Sequence, residues 1–213
     1  SRGIEETFMN YRIPYRIVGS LKFYDRKEVK DVLSYLKLIQ NPADDVSLRR
    51  IINVPKRSIG DTTVDKLNRH ALLNGTSMLQ AVLDSDNVEG LSKRTASLVN
   101  KFGQIIMKYV NSYDEFTVSE IIQTILDDTG YIRVLEASGE VEDETRIENI
   151  QELISAASEF EKTSEDKSLG AFLEGVALIS DIDTVNEDDH AVIIMTLHSA
   201  KGLEFPVVFM AGM

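Results

Sequence analysis

The sequence predicts a mainly α protein, with an all-helical body carried between short α/β pieces at its two ends. Three observations predict it. From about residue 42 to about 180, apolar residues recur at helical spacing, as in Val64-Leu67-Ala71, Leu98-Phe102-Ile105-Tyr109, Ile147-Ile150-Ile154-Ala157 and Leu169-Phe172-Leu173-Val176. Residues Ile13 to Val18 instead alternate like a short strand closed by Gly19. Near the other end, Ala191 to Met195 and Pro206 to Met210 are continuous apolar runs of strand length, the pattern of strands buried on both faces of a sheet. The simplest topology that joins these is a helical domain inserted into an α/β host.

Each element follows from local signals. Residues 4–10 read as the end of a helix. Asp25 is a candidate cap for the next one, in which Val29, Val32, Leu33, Leu36 and Ile39 form the stripe, and Asn41-Pro42 stops it. Asp44 and Asp45 open a short helix through Leu48, Ile51 and Ile52 that ends near Pro55. Beyond it, helical stripes including Ile121-Ile122-Ile125 alternate with polar, mostly acidic connectors at 136–146, 161–168 and 181–189. Within the first connector, Glu142-Asp143-Glu144 reads as solvated surface.

The 213 residues are 43% hydrophobic, which suits a folded core and excludes disorder as the main state. With no cysteine there is no disulfide and no thiolate zinc site, a composition that fits the reducing cytoplasm. No apolar run reaches the length of a membrane span. The N-terminal segment has no apolar signal core. The net charge of −12 argues at first against nucleic acid, but the charge is unevenly spread. Through residue 70 there are 14 Lys and Arg against 9 Asp and Glu, and the rest holds 9 against 26. The basic third can carry a polyanion contact; ordinary solvated faces are the alternative.

The sharpest motif joins the two apolar runs near the end: Thr196-Leu197-His198-Ser199-Ala200-Lys201-Gly202-Leu203-Glu204-Phe205. Polar groups bunched past the carboxyl end of a buried strand are where α/β sheets hold ligands. Lys201 can meet an anion and Gly202 allows close backbone approach. Glu204 can accept from ribose hydroxyls, and Thr196 and His198 can donate to phosphate oxygens. Taken alone, His198 fits a structural histidine equally well.

This ten-residue run resembles motif V of the UvrD/PcrA-like superfamily 1 DNA helicases, with the PcrA branch the most similar. Ile13 to Ile39 resembles the segment containing motif IVa of that family, and Ser1 to Glu6 the end of its motif IV. Val54-Pro55-Lys56-Arg57-Ser58-Ile59-Gly60-Asp61-Thr62-Thr63 is similar to its Gly-Ile-Gly element, with serine at position 58 where the family pattern has glycine. Thr145-Arg146-Ile147-Glu148-Asn149-Ile150 matches as well. The resemblance implies a RecA-like subdomain, 2A, in two pieces at residues 1–41 and 188–213, interrupted by a helical subdomain, 2B, at 42–187. It implies a segment of an ATP-dependent 3′→5′ helicase, with ATP and Mg²⁺ in the parent enzyme and none bound to this segment alone. By the same analogy, Thr196 and His198 face single-stranded DNA, Gly202 and Glu204 touch the nucleotide, and Lys201 serves either. A recombination helicase–nuclease of the AddA or RecB kind, and a 2B that chiefly binds proteins or autoinhibits, are the two alternatives. The partners implied are single-stranded and duplex DNA, with possible protein partners through 2B and no membrane.

The Gly-Ile-Gly-like element has a physical logic of its own. Gly60 permits a tight turn, and Asp61 or Thr62 can cap the following helix. A turn leading into a helix N-terminus presents free N–H groups that bind phosphate without reading sequence. Ser58, Ile59, Gly60 and Thr62 form this turn, and Lys56, Arg57 and Lys66 add charge, as Arg49 and Arg50 can. A plain capped turn is the alternative. Gly90-Leu91-Ser92-Lys93-Arg94 is a second candidate, since two cations in a first turn oppose the helix dipole. In the motif IVa segment, Lys22 and Arg26, with Lys27 and Lys30, stand beside Phe23 and Tyr24, an interleaving that suits single-stranded DNA unless the rings pack inward.

None of the 12 glycines is followed by lysine, so no phosphate-binding P-loop is present, nor is there a Walker B strand end. His70, His190 and His198 lack metal-ligand spacing. The expectation is that this chain alone hydrolyses no ATP.

Overall fold

In the computed structural model, which describes residues 2–18, 23–185 and 191–211, the chain is mainly helical. Helix α1 (Arg2–Asn10) leads to strand β1 (Tyr15–Val18), and a short 3-10 turn at Phe23–Asp25 precedes α2 (Lys27–Gln40). Next come α3 (Asp45–Ile51), α4 (Asp61–Asn74), α5 (Met78–Leu83) and α6 (Lys93–Val110). Then follow α7 (Val118–Thr129), α8 (Tyr131–Ser138), α9 (Val141–Thr163) and α10 (Leu169–Val185). Strand β2 (Val192–Met195) and the four-residue helix α11 (Leu197–Ala200) complete the order.

The described residues fall into two compact units, Ser1–Arg26 with Ala177–Met213, and Lys27–Val176. The larger compact unit reaches back over α2, the helix that the sequence reading gives to the first α/β piece. Val29, Val32, Tyr35, Leu36, Leu38 and Ile39 are fully buried, so this helix has no broad solvent face, and it packs against α3, α6, α7 and α9. A helix buried over most of its circumference, with Glu28, Asp31 and Ser34 covered along with its apolar residues, is a core element of the body it sits in.

In the larger unit most of the sequence stripes become core, while Val64, Leu98, Ile105, Ile147 and Ile154 stay half-buried at its margin. Leu67 and Ala71 of α4, Val99, Phe102, Ile106 and Tyr109 of α6, Ile121, Ile122 and Ile125 of α7, and Ile150, Leu153 and Ala157 of α9 are all buried. The α5 and α6 helices approach closely at Gly103, where a Cβ would meet Val82 Cγ1 at 2.7 Å. Caps fix the helix starts: Asp44 accepts from Ser47 N at 2.9 Å, Ser92 from Thr95 N at 3.1 Å, and Thr117 with Glu120 forms a full capping box. The expected connector at 136–146 is shorter than read. Helix α9 already begins at Val141, because Glu142, Asp143 and Glu144 suit a first turn, where the dipole favours anions. Asp143 is buried rather than solvated and pairs with Arg146 one turn on.

The smaller unit holds a two-stranded parallel sheet in which Tyr15 pairs with Val192 and Val18 with Met195. The strand expected at Pro206 to Met210 is not formed. Val207, Val208, Phe209 and Met210 are exposed, and among the described residues no strand offers them a ladder. Val192 and Ile193 of β2 are exposed as well, against the expectation of burial on both faces. Among the described residues no helix is long and apolar enough to cross a membrane.

Candidate nucleic-acid interface

The turn before α4 is built by inward-facing polar groups. Asn53 Oδ1 accepts from both Arg57 N at 2.7 Å and Ile59 N at 3.2 Å, so one amide oxygen gathers the loop. The Ile59 side chain is buried and anchors it. Ser58, between them, is exposed and held at φ +59°, the left-handed region that favours glycine. Gly60 by contrast has φ −87° and ψ 170°, an extended conformation open to any residue. The conformational demand read into Gly60 therefore belongs to Ser58, two residues earlier. Replacing Ser58 by Gly is expected to stabilise the fold by about 0.5 kcal/mol. Relief of about 1 kcal/mol of left-handed strain outweighs about 0.5 kcal/mol of added chain entropy. Chemical denaturation of the two proteins measures it.

Helix α4 starts at Asp61 with Gly60 as its N-cap and no side-chain cap bond, so neither Asp61 nor Thr62 caps it. Thr63 N and Val64 N bond to Gly60 O, and among the described residues the Asp61 and Thr62 N–H groups find no acceptor. A Cβ added at Gly60 would meet nothing within 4 Å, so the helix start is open to solvent. Exposed Lys56 stands on the approach, with no acidic partner among the described residues. Asp61 is exposed and acts against an anion here.

Arg57 does something else. Its guanidinium donates to the carbonyls of Ile51 at 3.0 Å, Ile52 at 3.3 Å and Pro55 at 3.2 Å, and to Tyr35 Oη at 2.7 Å. It also lies 5.1 Å from the Phe102 ring centroid. Tyr35 Oη in turn donates to Val54 O. The guanidinium thus closes the turn that follows α3 and is turned inward, sharing the Ile51 carbonyl with Val54 N and adding a donor to the Ile52 and Pro55 carbonyls. Lys66 is also engaged: its Nζ donates to Gly90 O at 2.7 Å, tying α4 to the turn before α6. Arg50 pairs with Asp31 at 2.8 Å, while Arg49 is exposed.

Lys22 lies outside the described residues, as does His190. Phe23 and Tyr24 are buried, with ring centroids 5.0 Å apart in an edge arrangement, and Arg26 sits 5.5 Å over Phe23. Phe23 therefore serves packing and gives no open face on which a base could stack.

In the motif V-like run, Thr196 Oγ1 accepts from Ser199 N at 3.2 Å and lies 2.9 Å from Ser199 Oγ, capping α11 just past the end of β2. His198 is in α11, and its side chain lies outside the described residues. Gly202 has φ +85°, and a Cβ there would meet nothing within 4 Å. Lys201, Gly202 and Glu204 are exposed. These residues form a polar loop past the strand's carboxyl end, open on its outer side. Among the described residues no cluster could hold a metal ion; His70 pairs with Asp84, Nε2 to Oδ2 at 3.0 Å. Sequence reasoning missed Asn53, whose only signal is an amide two residues before a proline.

With this geometry in view, the comparison with known proteins is specific: the family described as "UvrD-like helicase C-terminal domain" matches residues 1–213. The chain belongs to that family. It is 46% identical over 219 residues to the ATP-dependent DNA helicase PcrA of Bacillus subtilis (strain 168), covering 100% of this chain and 30% of that protein. It is 44% identical over 215 residues to PcrA of Staphylococcus aureus (strain Mu50), covering 100% of this chain and 29% of that one. PcrA of Staphylococcus epidermidis is likewise 44% identical over 215 residues. The chain thus spans about three tenths of the length of the curated relatives it matches. It is a PcrA-like C-terminal helicase segment of the UvrD family.

Proposed function

We propose that this chain is the part of an ATP-dependent 3′→5′ DNA helicase that grips duplex DNA ahead of the motor and carries motif V. On this reading 42–187 is the helical 2B subdomain, and 1–41 with 188–213 are pieces of 2A. Thr196 and His198 meet single-stranded DNA, and Gly202, Glu204 and Lys201 meet ATP, whose phosphates and Mg²⁺ are held mainly by parts of the parent beyond this chain. Without a P-loop lysine the segment by itself turns over no ATP. The parent acts in the cytoplasm.

One observation carries the duplex contact: the uncapped start of α4 behind the Ser58 turn. Two N–H groups without acceptors, a positive dipole end, an open approach at Gly60 and the Lys56 ammonium together fit a phosphate oxygen. Such contacts are sequence-independent and strongly salt-dependent. Binding of a hairpin duplex with a 3′ tail, followed by fluorescence anisotropy across a salt series, tests it. Replacing Lys56 with Gln is expected to weaken binding uniformly across sequences and to lower the slope of log K against log salt by about 1. Replacing Asp61 with Asn removes an opposing charge and is expected to tighten binding. If neither change moves the isotherm, the α4 start is a structural turn and no DNA contact.

A further inference from the structure

We propose that Asn53 is a positioning residue for the candidate phosphate contact. It touches no ligand itself and holds the turn before α4 in the backbone shape that leaves the helix start open. This role rests on the duplex-binding reading above and adds to it a residue that neither charge nor exposure marks. Asn53 is half-buried, two residues past the end of α3. Its amide oxygen receives Arg57 N at 2.7 Å and Ile59 N at 3.2 Å. Only the oxygen of an amide can accept from two N–H groups, so these partners fix which way the side chain points.

The two donors flank Ser58. Drawing both onto one atom folds the chain back between them, and Ser58 there has φ +59°. A residue with a Cβ resists that region, so serine by itself leaves it for an extended or right-handed shape. Two hydrogen bonds to a half-buried acceptor oppose this preference. Glycine needs no such hold, and glycine is what the family pattern has at this position.

The other inward contacts fix the frame around Ser58. Arg57 is held at both ends, its backbone N–H by Asn53 and its guanidinium by the carbonyls of Ile51, Ile52 and Pro55 and by Tyr35. The Ile59 side chain is buried. Lys56, Ser58 and the segment Gly60 to Thr62 are left outward. Lys56 and the N–H groups of Asp61 and Thr62 lie on opposite sides of Ser58 in the chain. A relaxed Ser58 therefore separates the ammonium from the helix start, and one phosphate oxygen no longer meets both.

The test is a double-mutant cycle on the whole 213-residue chain, read by anisotropy with the same hairpin duplex and 3′ tail. Asn53→Ala is expected to weaken binding about tenfold, the loss of a charge-assisted hydrogen bond. In a Ser58→Gly background the same change is expected to cost about twofold, since glycine takes the left-handed shape unaided. Asn53→Asp keeps an oxygen acceptor, so its added charge should lower affinity by the same factor in both backgrounds. That second pair reads the coupling even where Asn53→Ala does not fold. Equal losses for Asn53→Ala in the two backgrounds, or unequal losses for Asn53→Asp, overturn the proposal. So does an Asn53→Ala protein that melts lower yet binds with the parent's affinity where it is folded, since Asn53 then serves stability alone. If Lys56→Gln weakens binding while Asn53→Ala does not, the contact stands and the positioning role falls. If Lys56→Gln also leaves the isotherm in place, the duplex reading fails and takes this role with it.

Discussion

Replacing Arg57 with Ala is expected to destabilise the helical unit by about 3 kcal/mol without removing a DNA contact from the protein that remains folded. The size follows from what the guanidinium holds. The Ile51 and Ile52 carbonyls at the end of α3, the Pro55 carbonyl in the turn beyond it and the Tyr35 phenol receive its N–H groups, and its guanidinium lies 5.1 Å from the Phe102 ring centroid. Charge-assisted bonds are worth about 1.5–3 kcal/mol each, but Arg57 is only half-buried, so water replaces part of the loss. Lysine at 57 recovers less than half, because one ammonium cannot serve a fan of four acceptors or stack in the same way. Denaturant unfolding reads the stability. The salt slope of duplex binding, measured where each variant is folded, reads the contact. Arg57→Ala should keep the slope, whereas Lys56→Gln should lower it. An Arg57→Ala protein as stable as the parent, with its slope reduced by about 1, would show that the guanidinium leaves the α3 carbonyls to bind phosphate.

The contrast between Lys56 and Arg57 marks how far the sequence is legible. Both are cations in one turn, and charge alone assigns both to DNA. What separates them is three-dimensional: Arg57 follows a helix end and turn whose carbonyls a planar fork can reach, while Lys56 is exposed. The helical stripes were readable because a 3.6-residue repeat is a local property, and the buried faces of α2 and α7 fall where the repeat puts them, whereas on α9 the buried line runs through Leu153 and leaves Ile147 and Ile154 half-buried. The apolar run Pro206 to Met210 was not, because hydrophobicity states a preference for burial while a strand also needs a neighbour's ladder. At Ser58 the left-handed backbone has no signal in serine itself; only the resemblance to a glycine position hinted at it. Phe23 shows the limit of composition, since an aromatic beside cations reads alike whether its ring faces a base or the core. Asn149, quoted from a motif-like run, turns out to be a buried brace that donates to Glu28 Oε1 at 2.6 Å.

That brace has a stronger companion one turn along α2, and its loss should have the other large effect. Asp31 is 1% exposed and accepts from Arg50 Nε at 2.8 Å and Tyr131 Oη at 2.9 Å, so it fastens α2 to α3 and α8. Asp31→Ala is expected to cost about 3 kcal/mol, because the buried Tyr131 hydroxyl loses its acceptor and Arg50 its partner. Arg50 is half-exposed and rehydrates, which keeps the figure at the low end for a broken buried pair. Asp31→Asn keeps an acceptor for Tyr131 and should recover about half of the loss. Its pH dependence gives a sharper test. Burial pushes the Asp31 carboxyl above its ordinary value of 3.8, against the opposing pull of Tyr131 and Arg50. A group raised in the folded state contributes stability that is complete below pH 3.8 and is lost as pH climbs through the raised value. The deficit of Asp31→Asn is therefore widest in acid and narrows as pH rises past the ordinary carboxylate range. Asp128 and Glu120 run the other way. Lys108 holds the first low and the Thr117 backbone N–H the second, so their contributions vanish as pH falls. Without the opposing Asp31 term, the Asn variant should unfold in acid at a higher pH than the parent chain. Acid unfolding followed by circular dichroism decides it: parallel stability curves for the two proteins would mean that the Asp31 carboxyl does not titrate differently in the folded state.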